Sequence, residues 1–173
     1  TITTNATNLS SVTLPNIAGV ASNSQLSAVF GTGYYNANIA NSGVNNLQII
    51  ATGPSFTIDS ATALNSSLAN ISVVIRTSSP NSNILVNSNI NWAADNYLTF
   101  DAAGNIAVNA PITASFAGTI TQPLLNLAYG QGSDKGAGAS LAFPSSVTLP
   151  AGLTLTEKQG SDGAATSYQV VTT

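Results

Sequence analysis

The chain has no cysteine, no histidine and no methionine in 173 residues, and lysine and arginine together number 3. Without cysteine there is neither a disulfide framework nor a thiolate metal site. Without cysteine or histidine the common nucleophile–base triads cannot be assembled. Charged residues make up 5% of the chain, against about a quarter in an ordinary soluble domain, so neutral Asn, Ser and Thr must carry its hydration. The fixed positive charges are Arg76, Lys135 and Lys158, set against Asp59, Asp95, Asp101, Asp134, Glu157 and Asp162. That set cannot neutralise a phosphate backbone, which excludes nucleic acid as a partner. No window approaches the roughly 18 to 20 consecutive apolar residues of a membrane helix, so no membrane span is expected.

What is present argues for a folded chain. Hydrophobic residues reach 43%, too many at this low charge for intrinsic disorder, and the length suits one domain with a real core. A composition free of Cys, poor in Lys and rich in Asn and Thr is expected outside a cell. No basic n-region followed by an apolar h-region is seen, so an export signal would have been removed or would lie beyond this sequence.

Short alternating segments recur, among them Leu47-Gln48-Ile49, Phe56-Thr57-Ile58, Ile71-Ser72-Val73 and Leu98-Thr99-Phe100, each bounded by Gly, Asn, Ser or Pro. Period two predicts strands, and the fold class is all-β. Helical spacing is confined to ATALNSSLA, where Ala63, Leu64 and Leu68 share a face, which predicts a short helix over 61–69. A phrase is written twice: NILVNSNI from Asn83 and NIAVNAPI from Asn105, at an offset of 22 residues. A fixed offset predicts stacked coils of about 20–22 residues, a parallel β-helix or β-solenoid with Ile84, Val86 and Ile90 under Ile106, Val108 and Ile112. In that register Asn87 and Asn109 become a candidate amide ladder along the axis, besides serving turns where Asn tolerates left-handed geometry. Trp92, Leu98 and Phe100 read as core on the return side of the coil. The organisation expected is an N-terminal β cap or donor-strand segment over 1–50, solenoid coils over 51–130 and C-terminal strands or cap over 131–173, all in one structural domain.

The segments FTIDSATALNSSLAN, ILVNSNINW, LTFDAAGNIAVNAPITA and LLNLAYGQG, in that order from Phe56 through Gly130 to Gly132, resemble the repeat region of bacterial two-partner-secretion exoproteins, the filamentous-haemagglutinin-like adhesins. The resemblance covers under half of the chain, and residues 1–50 show no recognisable secretion-domain start. It implies a right-handed parallel β-helix and a secreted, surface-associated role in attachment or biofilm. Because its motifs are packing motifs, no ligand is implied.

Candidate sites follow from residue chemistry. SSVTLP occurs at Ser10–Pro15 and at Ser145–Pro150, and the first 58 residues carry no charge that would protect a strand edge. Val12, Leu14, Val147 and Leu149 are therefore candidate assembly strands of a filament that grows by strand addition between copies. QGSD, at Gln131–Asp134 and Gln159–Asp162, reads as turn chemistry. Asn5, Asn8, Asn65 and Asn70 head Asn-x-Ser/Thr sequons and are candidate glycan acceptors. A carbohydrate-binding module would need Trp92, or Tyr34 with Tyr35, as a stacking platform. Asp95 and Asp101, six apart across one predicted strand, are the carboxylates to weigh for paired acid–base work, but each sits in a turn-like context that it can cap, and the chain reads as non-catalytic. No cofactor is expected. Calcium is the one metal to weigh, through the DAAGN loop Asp101–Asn105, which lacks the further carboxylates of a D-x-D-x-D-G loop. The partners expected are the protein itself, as a homopolymer, or a surface receptor.

Overall fold

The computed structural model describes residues 1–14, 46–116, 118, 123–133, 136 and 138–171. Strand β1 (Ile2–Thr4) is followed by a 3-10 turn at Leu9–Ser11. The later elements come in threes. Strands β2 (Asn46–Ala51) and β3 (Ser55–Ile58) lead into helix α1 (Thr62–Leu68). Next come β4 (Ser72–Thr77), β5 (Asn83–Val86) and β6 (Ile90–Trp92), then β7 (Leu98–Asp101), β8 (Ile106–Val108) and β9 (Ile112–Ala114). After them stand β10 (Leu125–Tyr129), β11 (Leu141–Ala142) and β12 (Val147–Thr148), and the described strands end with β13 (Thr154–Gln159) and β14 (Thr166–Gln169).

Each strand pairs with its counterpart in the neighbouring trio. Sheet A runs β1-β2-β4-β7-β10-β13-β14, sheet B runs β11-β8-β5-β3 and sheet C runs β12-β9-β6. Every described strand pair is parallel except β13 with β14, so the fold is mostly β, as the alternation predicts. Period two sets which side chains turn inward. In β5, β7 and β10 every second residue is buried, and parallel register places each such residue on its counterpart. Ile49, Ile75, Phe100 and Leu127 form one column in sheet A; Phe56, Ile84, Ile106 and Leu141 form one in sheet B; Ile90, Ile112 and Val147 form one in sheet C. Burying one such side chain fully is worth about 1.5–3 kcal/mol, and the three columns belong to one apolar cluster. Trp92, Leu98 and Phe100 are in it.

A constant coil of about 20–22 residues is not what the pairing gives. The spacing of 22 holds between Asn83 and Asn105 and between Asn87 and Asn109. In sheet A it is 25 from Arg76 to Asp101, 27 from Thr99 to Asn126 and 30 from Asn126 to Thr156, and at the start of β11 it reaches 35 between Asn105 and Ser140. The physical reason is that a ladder constrains strands and leaves corners free. The chain turns from β7 to β8 through Ala102–Asn105, whereas the same corner after β10 takes the longer path Gly130–Ser140. Sheet A also runs through both expected boundaries, since β2 and β13 belong to the same sheet as β4 and β10.

The short helix is present, with a different inner face. Leu64, Ser67 and Leu68 are buried, whereas Ala63 is exposed. It packs on β6, in the place where the next three trios have a sheet C strand. Asn65 makes the junction: its Oδ1 accepts from the Asn91 N–H at 3.0 Å and its Nδ2 donates to the Asn89 carbonyl at 3.4 Å. One side-chain amide thus meets the backbone in and just before β6 with the donor and acceptor that a neighbouring strand would supply.

Candidate functional site

Polar side chains are organised by the same register as the core. Asn109 Nδ2 donates to Asn87 Oδ1 at 2.8 Å, so the two amides of the repeated phrase bond along the stacking direction, and both residues are exposed. A second column begins at Asn83, whose Oδ1 accepts from the Asn105 N–H at 2.7 Å, and continues as Asn105 Oδ1 accepts from the Ser140 N–H at 2.8 Å. A third joins Thr99, Asn126 and Thr156 at 3.2 and 2.6 Å. These groups satisfy one another and the corner backbones, which is scaffold chemistry.

Both ends of the described stack carry charge at a defined place. Near β3, Ser10 donates its backbone N–H to Asp59 at 2.9 Å and its hydroxyl to the same carboxylate. The hydroxyl bond leads in holding Asp59 below the ordinary carboxylate range. At the other end Glu157 pairs with Leu127, and so takes an inward position of sheet A. Its carboxylate accepts from the Tyr129 hydroxyl at 2.9 Å and from the Tyr168 hydroxyl at 3.1 Å. Burial, reinforced by Glu157, pushes the Tyr129 phenol up to about 12. The bond to Glu157 raises Tyr168 as well.

The candidate assembly residues are placed unequally. Val12 and Leu14 are half-buried, lie outside any strand and follow the 3-10 turn. The turn forms because the Asn8 side chain caps it, accepting from the Ser11 N–H at 3.1 Å. Val147 begins β12 and pairs with Ile112, and Leu149 is buried just beyond it. The two SSVTLP copies are therefore not equivalent strands; Pro15 lies outside the described residues. The strand at the N-terminal edge is β1, already paired with β2 of its own chain.

Of the sequon residues, Asn5 and Asn70 are exposed, whereas Asn8 and Asn65 are half-buried with their side chains engaged by the cap and by β6. Trp92 is 5% exposed and its indole N–H donates to the Asn96 carbonyl at 2.8 Å, so it cannot be a sugar-stacking platform. Tyr34 and Tyr35 lie outside the described residues, as does Asp134 of the first QGSD. Asp95 is exposed between β6 and β7, whereas Asp101 ends β7 in an ion pair with Arg76. In the DAAGN loop Asp101 Oδ2 is held by Arg76 and the Asn105 oxygen by Ser140.

One further cluster has only an indirect signal in the sequence. Arg76 and Asp101 are register partners on the outer side of sheet A, and both line an open cleft with Ser78, Ala103, Gln131 and Gly132. The signal is the pair VVIR and LTFD, an apolar run and an apolar alternation that each end in one charge, of opposite sign. No family model, no curated protein and no solved structure matches this chain.

Proposed function

We propose that the chain is a parallel β-solenoid that acts as a non-catalytic extracellular scaffold, adhesin-like, holding surfaces for attachment away from a cell. One observation carries it: the chain visits sheets A, B and C in the same order in successive turns, with each strand in register on its counterpart. A stack of this kind gains rigidity along its axis, because neighbouring coils share both backbone ladders and side-chain columns. The right-handed sense and the secreted, surface-associated setting rest on the resemblance to filamentous-haemagglutinin-like repeats. Electron microscopy of the purified chain tests the shape, and coating of beads followed by adhesion to cells or to a biofilm tests the role. Short monomeric rods that confer attachment are expected; globular particles, or rods that leave bead attachment unchanged, would sink the reading.

A second reading, a filament subunit that polymerises by strand addition, draws on the outer edges of β1 and β14. Neither edge has a backbone partner among the described residues, and neither strand contains a charged residue to guard it. Long uniform fibres would favour it over an isolated scaffold segment. Fibres that persist after deletion of residues 1–15 would rule out donation of the N-terminal strand.

A further inference from the structure

An open cleft of about 330 Å³ lies where the chain leaves sheet A for sheet B. We propose that it binds a neutral saccharide through a pair of ring hydroxyls. Three adjacent turns build it: Arg76 and Ser78 around the end of β4, Asp101 and Ala103 around the end of β7, and Gln131 with Gly132 after β10. Their functional groups stand on strands spaced ~4.8 Å apart, on the scale of a sugar ring.

The bonds already made define what the cleft can offer. Arg76 approaches Asp101 through Nε and Nη2, both at 2.6 Å and both to Oδ2. Nη1 therefore stays available as a donor, and Oδ1 as an acceptor without a partner among the described residues. The pair is accessible, its side chains being 42% and 19% exposed. Gln131 is more constrained: its Nε2 donates to the Tyr129 carbonyl at 3.0 Å and to the Gly160 carbonyl at 2.9 Å. Those two acceptors fix which end of the amide is nitrogen. Oε1 is left as a second acceptor with no partner among the described residues. Gly132 lets its turn sit close on Ala103, since a Cβ there would stand 3.1 Å from the Ala103 carbonyl.

Charge selects the ligand class. An anion would meet an Arg76 that Asp101 already neutralises, with a free carboxylate oxygen beside it. A cation would meet the guanidinium. A hydroxyl is both donor and acceptor, so neighbouring hydroxyls can donate hydrogen bonds to Asp101 Oδ1 and Gln131 Oε1 while accepting one from Arg76. Two of those three contacts would be charge-assisted, the stronger kind. The inference rests on strand register, and it stands whether or not the chain serves as an attachment scaffold.

Saturation-transfer NMR on the full chain tests it, with methyl glucoside, mannoside and galactoside as neutral probes and methyl glucuronide and glucosamine as charged ones. Saturation transfer to at least one neutral glycoside is expected, with affinity falling about tenfold or more in Asp101→Asn and in Gln131→Ala. The second variant keeps the test alive should the first fail to fold, and unchanged melting of either serves as its control. Transfer to no neutral glycoside, preference for the uronide or the amine, or equal binding by wild type and a folded variant would overturn the proposal. Rods that confer attachment without binding glycosides would overturn it and leave the scaffold reading in place.

Discussion

Tyr129 should make the protein lose stability in alkali, and by an amount the geometry sets. Its phenol is raised from 10.0 to about 12, first by burial and then by the hydrogen bond and charge of Glu157. A group whose folded pKa lies above its unfolded value holds its proton more tightly when folded. Its contribution is therefore complete below pH ~10 and is lost as pH rises towards ~12. Two units at about 1.36 kcal/mol each give about 2–3 kcal/mol. Tyr129→Phe removes the titration and also removes a hydrogen bond to a charged acceptor, worth roughly 1.5–3 kcal/mol. The variant should be the less stable protein at pH 8 and should draw level with the wild type near pH 12. Urea unfolding followed by circular dichroism at pH 8, 10, 11 and 12 measures the difference. The other tyrosines and the lysines are common to both proteins, so most of their titration cancels. Parallel stability curves across that range would mean that Tyr129 is not held by Glu157 and that the end of the stack is built differently.

Three further outcomes are expected. Phe100→Ala, at a fully buried site between Ile75 and Leu127, should cost about 3–5 kcal/mol in denaturant unfolding, whereas Thr99→Ala on the outer side should cost under about 1 kcal/mol; similar losses would contradict the inward columns. Gly104→Ala would drive a Cβ into the Asn81 carbonyl and should cost about 1–3 kcal/mol, while Gly53→Ala meets nothing closer than 3.4 Å and should be nearly neutral, a contrast that melting temperatures will show. The lowered pKa of Asp59 gives stability that is present above the unfolded carboxylate value and is lost as pH falls through the folded one. Asp59→Asn should therefore show a shallower decline in melting temperature from pH 6 to pH 2, and an identical decline would rule out the Ser10 bond as a stabilising contact.

The parts of the fold that were legible in the sequence are those fixed by side-chain period. Alternation in Leu98-Thr99-Phe100 and Phe56-Thr57-Ile58 marks strands, and the phrase repeated at Asn83 and Asn105 gives the register of β5 on β8 and of β6 on β9 down to the bonded pair Asn87 and Asn109. The spacing in sheet A was not legible, because corner length leaves no trace in an apolar alternation. A search at 22 residues misses Arg76 over Asp101 at 25. Asn65 was legible as part of a helix, but its role against β6 depends on where that helix packs, which is a tertiary fact. Gln131 read as turn chemistry, and nothing local says that two carbonyls from different turns, those of Tyr129 and Gly160, orient its amide.

Glu157 bears on whether parallel strands could be added to sheet A without limit. Read alone, TLTEKQ is an ordinary polar strand, yet register places Leu155 under Leu125, Glu157 under Leu127 and Gln159 under Tyr129. The inward side thus changes from apolar to charged within one step of the stack. A further apolar turn set directly on that column would have to bury the carboxylate, at a cost of several kcal/mol per ion, unless it brought a new partner. Tyr168 on the returning strand β14 already supplies a hydroxyl there, and β14 reverses the strand direction at the edge. Growth at this end in the parallel manner of the preceding turns is therefore opposed twice, by an inward charge and by an antiparallel strand in the way. If copies do join, the contact expected from this geometry is at β1, or edge to edge through β14. Glu157→Leu would separate the possibilities: if it turns monomers into end-to-end rods under the electron microscope, the inward charge is what stops the stack.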